Sequence, residues 1–180
     1  GAAANLFVTQ AAAGVTITVT DGLVIDSSNA FDVEPAVLDY FTVEAQGGGN
    51  IGPQVADTPF NIDIKARDVY GNVLSSGANV FSGQVDISDS TGTLVQLSGA
   101  FVAGAVTEGV QSRQAGVGVV IEVVESGGVY GVDPSGVSNG FEVVPGVLDH
   151  FRFETQPVAT YEAGDGIAVR IYAEDGEGNL

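Results

Sequence analysis

Cysteine, methionine and tryptophan are absent from this chain of 180 residues, and histidine occurs once. Without cysteine there is no disulfide, no thiolate metal site, no thiol nucleophile and no haem attachment. Cysteine usage therefore says nothing about redox compartment. Basic residues are nearly as scarce: Lys65, Arg67, Arg113, Arg152 and Arg170 stand against 23 acidic residues, for a formal net charge of -18. A surface that negative repels phosphate backbones and anionic headgroups, so neither nucleic acid nor a peripheral membrane is an expected partner, whereas divalent cations are admitted. Acidity alone also keeps exported proteins soluble. No apolar run approaches the roughly 18 residues of a membrane-spanning helix, so no direct membrane insertion is expected of this segment. An export signal with a basic start is likewise missing and is expected outside this stretch.

What is present is a folded β pattern. Hydrophobic residues make up 44% of the chain, mostly in short alternating runs punctuated by 26 glycines and only 6 prolines, which argues against disorder. Self-similarity then organises the whole chain. FDVEPAVLDYFTVEA, beginning at Phe31, returns as FEVVPGVLDHFRFET at Phe141, a period of about 110 residues, with Pro35, Leu38, Asp39 and Phe41 matching Pro145, Leu148, Asp149 and Phe151. Downstream, IDIKARDVYGNVL answers to VRIYAEDGEGNL, and Asp68, Gly71 and Asn72 match Asp175, Gly178 and Asn179 at an offset of 107. Upstream, AGVTITV from Ala13 is set against AGVGVVIEV from Ala115, an offset of 102. The differences fall in loops, the extra residues of the second copy being assigned to SGGVYGVDPSG. The resulting reading is an all-β chain of tandem antiparallel sandwiches repeating at about 110 residues, close to the size of one such domain. One complete domain covers residues 35–144. Residues 1–34 supply two or three C-terminal strands of a preceding domain, and 145–180 supply two N-terminal strands of a following one.

Within the complete domain, strands are expected at Leu38–Ala45, Phe60–Asp68, Val80–Ser88, Leu94–Ser98, Ala105–Arg113, Val117–Val124 and Gly136–Val144. In the second, Phe60, Ile62, Ile64 and Ala66 share the core face, and Asn61, Asp63, Lys65 and Arg67 the outer one. Its copy puts Ile167, Val169, Ile171 and Ala173 inside and Arg170, Tyr172 and Glu174 outside.

Catalytic constellations are not evident. His150 stands where the other copy has Tyr40, an outward and replaceable position, which argues against a Ser-His-Asp arrangement. Carboxylate pairs at glycosidase-like spacing must occur by chance among so many acids. The glycines at Gly47 and at Ser126-Gly127-Gly128 lie between strands and precede no helix, so they are loops and not phosphate cradles. Lys65, the only lysine, alternates outward and is expected to stay free of an isopeptide link. Asp68-Val69-Tyr70-Gly71-Asn72 and Asp175-Gly176-Glu177-Gly178-Asn179 read as tight turns in which Asp bonds its own backbone. The alternative is a calcium site using Asp68, Asn72, Asp39 and Asp175 with Glu34 or Asp32 at the domain junction, although neither stretch has the EF-hand spacing. No other cofactor is expected.

PAVLDYF, an alternating strand ending in ARDVYGN or AEDGEGN, a long succession of short strands, a VSNGFEVVPG exit and the next VLDHF together resemble the bacterial immunoglobulin-like tandem repeats of large cell-surface proteins, similar to the invasin and intimin type. The resemblance covers the whole chain. It implies an immunoglobulin-like fold, an extracellular location, and a structural or adhesive role as a stiff spacer with no catalytic residues. The partners implied are neighbouring domains of the same protein. Copies of the chain completing each other's open ends by strand addition are a further reading. Pro35 and Pro145 restrict the chain where one domain passes to the next. The alternative function, a carbohydrate-binding or enzyme-accessory sandwich, would call for a planar group of exposed aromatics, whereas Tyr40, Tyr70, Tyr130, Tyr161 and Tyr172 are scattered along the sequence.

Overall fold

A computed structural model describes residues 5–128, 133–158 and 160–180; Tyr130, in the SGGVYG loop, lies outside them. The described residues form strands and no helix. The first four strands are β1 (Ala12–Val15), β2 (Thr18–Thr20), β3 (Ile25–Ser27) and β4 (Phe31–Val33). The next ten are β5 (Leu38–Ala45), β6 (Gln54–Val55), β7 (Phe60–Asp68), β8 (Val85–Asp89), β9 (Val95–Leu97), β10 (Ala105–Val110), β11 (Gly116–Val119), β12 (Ile121–Glu125), β13 (Ser135–Val137) and β14 (Phe141–Val144). The chain ends with β15 (His150–Thr155) and β16 (Arg170–Glu174).

Strand β7 behaves as its alternation demands. It pairs antiparallel with β5, where Phe41 faces Ala66 and Val43 faces Ile64, and with β10, where Val106 faces Ile64. Ile62, Ile64 and Ala66 are wholly buried, and Lys65 and Arg67 lie on the other face. A second sheet in the order β13-β12-β8-β9 contributes Val85, Ile87, Ile121 and Val123 to the same core. Each such buried aliphatic side chain stabilises the fold by about 1.5–3 kcal/mol relative to exposure. Phe41, Phe81 and Phe101 pack edge-on and tilted at the centre, with ring centroids 4.9 to 5.8 Å apart. Strand β6 runs parallel to β14 and closes the side of the sandwich. This is an immunoglobulin-like antiparallel sandwich, and among the described residues its hydrophobic core runs from Leu38 to Val143.

Two expected strands are each split. Residues 116–125 break at Val120, and residues 135–144 break at Ser138–Gly140, so the hairpin they form gives one half to β8 and the other to β6. At the break, the Ile121 N–H donates to Ser138 Oγ and the Val120 N–H to Ser90 Oγ, which replaces ladder bonds with hydroxyls. Alternation runs through such a break, so it leaves no mark in the hydrophobic pattern. The strand expected from Val80 starts only at Val85, because Phe81 N–H donates to Leu74 O and Phe81 O accepts from Gly104 N–H. Its backbone is spent on loops while its ring enters the core.

The flanking segments repeat the registers of the central sandwich. Thr18 faces Ser27 and Thr20 faces Ile25, just as Glu122 faces Val137 and Val124 faces Ser135. Ala12 faces Val33 and Val15 faces Phe31, as Gly116 faces Val143 and Val119 faces Phe141, with the same bulge in both. Ile17 N–H donates to Ser28 Oγ at 2.9 Å, as Ile121 N–H does to Ser138 Oγ. In this register Ala11 corresponds to Ala115 and Gly14 to Gly118, so the sequence match beginning at Ala13 is corrected by two positions. The bulge decides it: Gly14 and Gly118 both take positive φ, 67° and 73°, which a residue with a Cβ resists. The N-terminal segment therefore holds four short strands where two or three are expected, because its hairpin breaks as its counterpart does. At the other end His150, Phe151, Arg152 and Phe153 face Glu174, Ala173, Tyr172 and Ile171, as Tyr40, Phe41, Thr42 and Val43 face Arg67, Ala66, Lys65 and Ile64.

Burial in this last hairpin departs from expectation. Ile167, Val169 and Ile171 are about half exposed, whereas Glu174 is buried. Among the described residues no second sheet covers the apolar face. On the opposite face Arg152 and His150 reach across β15 to β16 and cover the Glu174 carboxylate, at 2.7 and 3.3 Å.

Candidate functional site

The most constructed polar feature is the turn that follows β7, with its copy after β16. Gly71 and Gly178 each have φ of 84°, the left-handed conformation that closes both turns. Asp68 Oδ1 accepts from the Tyr70 and Asn72 N–H groups at 3.0 and 2.8 Å. Asp68 Oδ2 accepts from Ala36 N–H and from Asn72 Nδ2, both at 2.9 Å. In the copy, Asp175 Oδ1 accepts from Glu177 and Asn179 N–H, and Oδ2 from Gly146 N–H and Asn179 Nδ2. Each carboxylate thus spends about four lone-pair positions on four N–H donors. Burial raises the pKa of both groups, but the asparagine amide and the three backbone donors outweigh it; Asp68 ends below its usual range and Asp175 falls to about 2.

The two asparagines reach out of the turn into the neighbouring segment. Asn72 Nδ2 donates to Thr9 O at 2.7 Å, and Asn72 Oδ1 accepts from Ala11 N–H at 2.9 Å. Asn179 Nδ2 donates to Arg113 O at 2.8 Å, and Asn179 Oδ1 accepts from Ala115 N–H at 2.8 Å. A primary amide here stands in for a peptide group in a β-bridge, gripping the carbonyl of one residue and the N–H of the second residue on. The third point of attachment is the linker: Ala36 just after Pro35, and Gly146 just after Pro145, donate to the aspartates. Gln10 adds a 3.3 Å bond to Asn72 Oδ1.

Of the residues considered for calcium, the fold brings Asp68 and Asn72 together in one turn and sets Asp175 in its copy, without adding the others to either. Asp39 is exposed on β5, Asp32 Oδ1 accepts from Gly14 N–H and Glu34 Oε2 from Ala78 N–H. Among the described residues no three acidic or histidine side chains form a cation-sized group. His150 is half exposed, beside Asp149 and Glu174, and Lys65 forms a part-buried ion pair with Glu44 at 2.8 Å. Tyr70 is exposed beside the first turn, and Tyr172 lies under the Arg152 guanidinium, 5.0 Å from the ring centre. What the sequence did not reveal is the partner of each asparagine, far away along the chain and engaged at both junctions through backbone groups.

No family model matches the sequence, and no curated protein matches it. Among solved structures the chain is similar to surface layer protein SbsC, domains 4-9, with 18% identity and a TM-score of 0.40. The match covers 91% of this chain and 24% of that one, so the chain spans about a quarter of that structure's length. A superposition this loose defines neither a family nor a role.

Proposed function

We propose that the chain is part of a tandem array of immunoglobulin-like sandwiches that serves as a structural, non-enzymatic spacer of an extracellular surface protein, with residues 35–144 as one whole repeat between parts of two others. The observation that carries this reading is the duplication of strand registers at both ends: residues 11–34 repeat the pairings of 115–144, and 150–174 repeat those of 40–67. Such pair-by-pair identity is what stacked repeats of one scaffold produce. An acidic surface with a formal net charge of -18 and a resemblance to bacterial surface repeats support the extracellular assignment.

The experiment is proteolytic shaving of intact source cells with a protease that cuts after glutamate, followed by peptide mass spectrometry. The peptide Gly109–Glu122, released by cleavage after Glu108 and Glu122, is expected in the supernatant of intact cells. Its release only after lysis would refute the surface assignment.

A further inference from the structure

We propose that the Asp-x-x-x-Asn turn is a docking site for the backbone of the adjacent repeat, one that grips the main chain on both sides of a bend just before β1 or β11 and locks each repeat against rotation on the next. This rests on the array reading and deepens it by naming the surface and the partner that hold the array stiff.

The geometry argues for it in three steps. The same pair of bonds occurs at two separate junctions, Asn72 with residues 9 and 11 and Asn179 with residues 113 and 115, at distances of 2.7 to 2.9 Å. The gripped groups are a carbonyl and an N–H, and the side chains at the carbonyl position differ completely, Thr9 in one copy and Arg113 in the other. The next two residues are the same in both copies, Gln10-Ala11 and Gln114-Ala115, but the bonds shared by both junctions go to main-chain atoms alone. The asparagine is itself immobilised, because its second Nδ2 hydrogen goes to Asp68 or Asp175 at 2.9 Å, so the amide is oriented before the neighbour arrives.

The lock follows from the number of attachments. A single linker passing Pro35 or Pro145 would leave rotation about its own axis free. The aspartate holds the linker through Ala36 or Gly146, and the asparagine holds a second segment of the neighbouring repeat, the bend that leads into β1 or β11. Two segments gripped by one rigid turn fix the relative orientation. The Gln10 contact at 3.3 Å is an addition to the first junction that the corresponding Gln114 does not reproduce among the described residues.

The test uses the full chain, with amide exchange and backbone 15N relaxation read together. Asn72→Ala should speed exchange at the Ala11 N–H by about tenfold or more, as expected for a lost hydrogen bond, and free the β4 amides of Phe31 and Val33 to tumble faster than those of Ile62 and Ile64. Asn179→Ala, remote from the sandwich core, should do the same to Ala115 exchange and to the β15 amides while leaving Ala11 unchanged. Thr9→Val and Arg113→Ala should leave both reporters within about twofold of the parent, since the grip is on backbone. The proposal is overturned if flank and core tumble together in both asparagine variants, or if the side-chain variants loosen the junctions as much as the asparagine variants do. Either failure leaves the duplicated registers and the array reading intact, and failure of the surface assignment leaves these exchange rates untouched.

Discussion

Gly136→Ala probes how tightly the two sheets are held together. Strand β13 crosses β5 so closely that a Cβ at residue 136 would lie 2.2 Å from Phe41 O, 2.8 Å from Phe41 C and 2.9 Å from Phe41 Cβ. Relief to an ordinary contact requires the two backbones to move apart, and both are anchored. Gly136 faces Val123 in β12, while Phe41 faces Ala66 and packs its ring on Phe81 and Phe101. Overpacking of a well-filled interior costs about 1–3 kcal/mol, and a clash of backbone on backbone belongs at the upper end. For a domain of about 100 residues each kcal/mol lowers Tm by roughly 4–8 °C, so a fall of at least about 10 °C is expected. Urea unfolding followed by far-UV circular dichroism measures the loss of stability, and a thermal melt the fall in Tm. Gly140→Ala is the control: its Cβ would meet nothing nearer than the Gly118 Cα at 3.5 Å, and a change under about 1 kcal/mol is expected. If Gly136→Ala unfolds within about 0.5 kcal/mol of the parent, β13 does not cross β5 as described.

Asn139 grips Ile51 with the chemistry of the junction turns, accepting from its N–H at 2.7 Å and donating to its carbonyl at 2.9 Å; Asn139→Ala should cost about 1–3 kcal/mol in the same urea assay by stranding both groups. With its pKa lowered to about 2, Asp175 holds fewer protons in the folded state than in the unfolded state between about pH 4 and pH 2, and Asp68, lowered by the same kind of donors, acts with the same sign. The stability that Asp175 contributes is therefore present above about pH 4 and lost as pH falls toward 2, and the Asn72→Ala and Asn179→Ala variants should show shallower acid transitions. Because both carboxylates are fully occupied by N–H donors, adding calcium or EDTA should leave Tm within about 1 °C; a rise with calcium would show that the turns open to take a cation. The Lys65–Glu44 pair is nearly one-third exposed on both sides, so Lys65→Met should change stability by no more than about 0.5–1 kcal/mol.

Much of the sandwich was legible because its signals are local. The alternation from Phe60 to Asp68 defined β7 to the residue, and Leu38–Ala45 likewise defined β5. The repetition that returns Phe31 as Phe141 located the related segments. The alignment of the first copy slipped by two because alanine matches are weak; the glycine before valine in both AAAGV and AGVGV marks the bulge and gives the register seen. Glu174 lies on the outer face that its alternation assigned and is buried there, because periodicity assigns a face without knowing what covers it, and here Arg152 and His150 cover the polar one. Gly136 had no local signal at all. Its counterpart at the same register is Asp26, exposed in β3, so the demand for glycine arises from β5 lying beneath and not from the strand itself. The turns were recognisable as Asp-Gly-Asn punctuation, but the outward grip of Asn72 and Asn179 depends on backbone groups about 60 residues away, which no local pattern reports.

The central claim, an array of independently folded repeats held end to end, is tested most directly by stretching the natural polypeptide in single-molecule force spectroscopy. At ~3.6 Å per extended residue, less the folded length, a repeat of about 110 residues should release roughly 35 nm, so a regular sawtooth with that spacing is predicted. Extension without peaks, or steps unrelated to that length, would contradict the account.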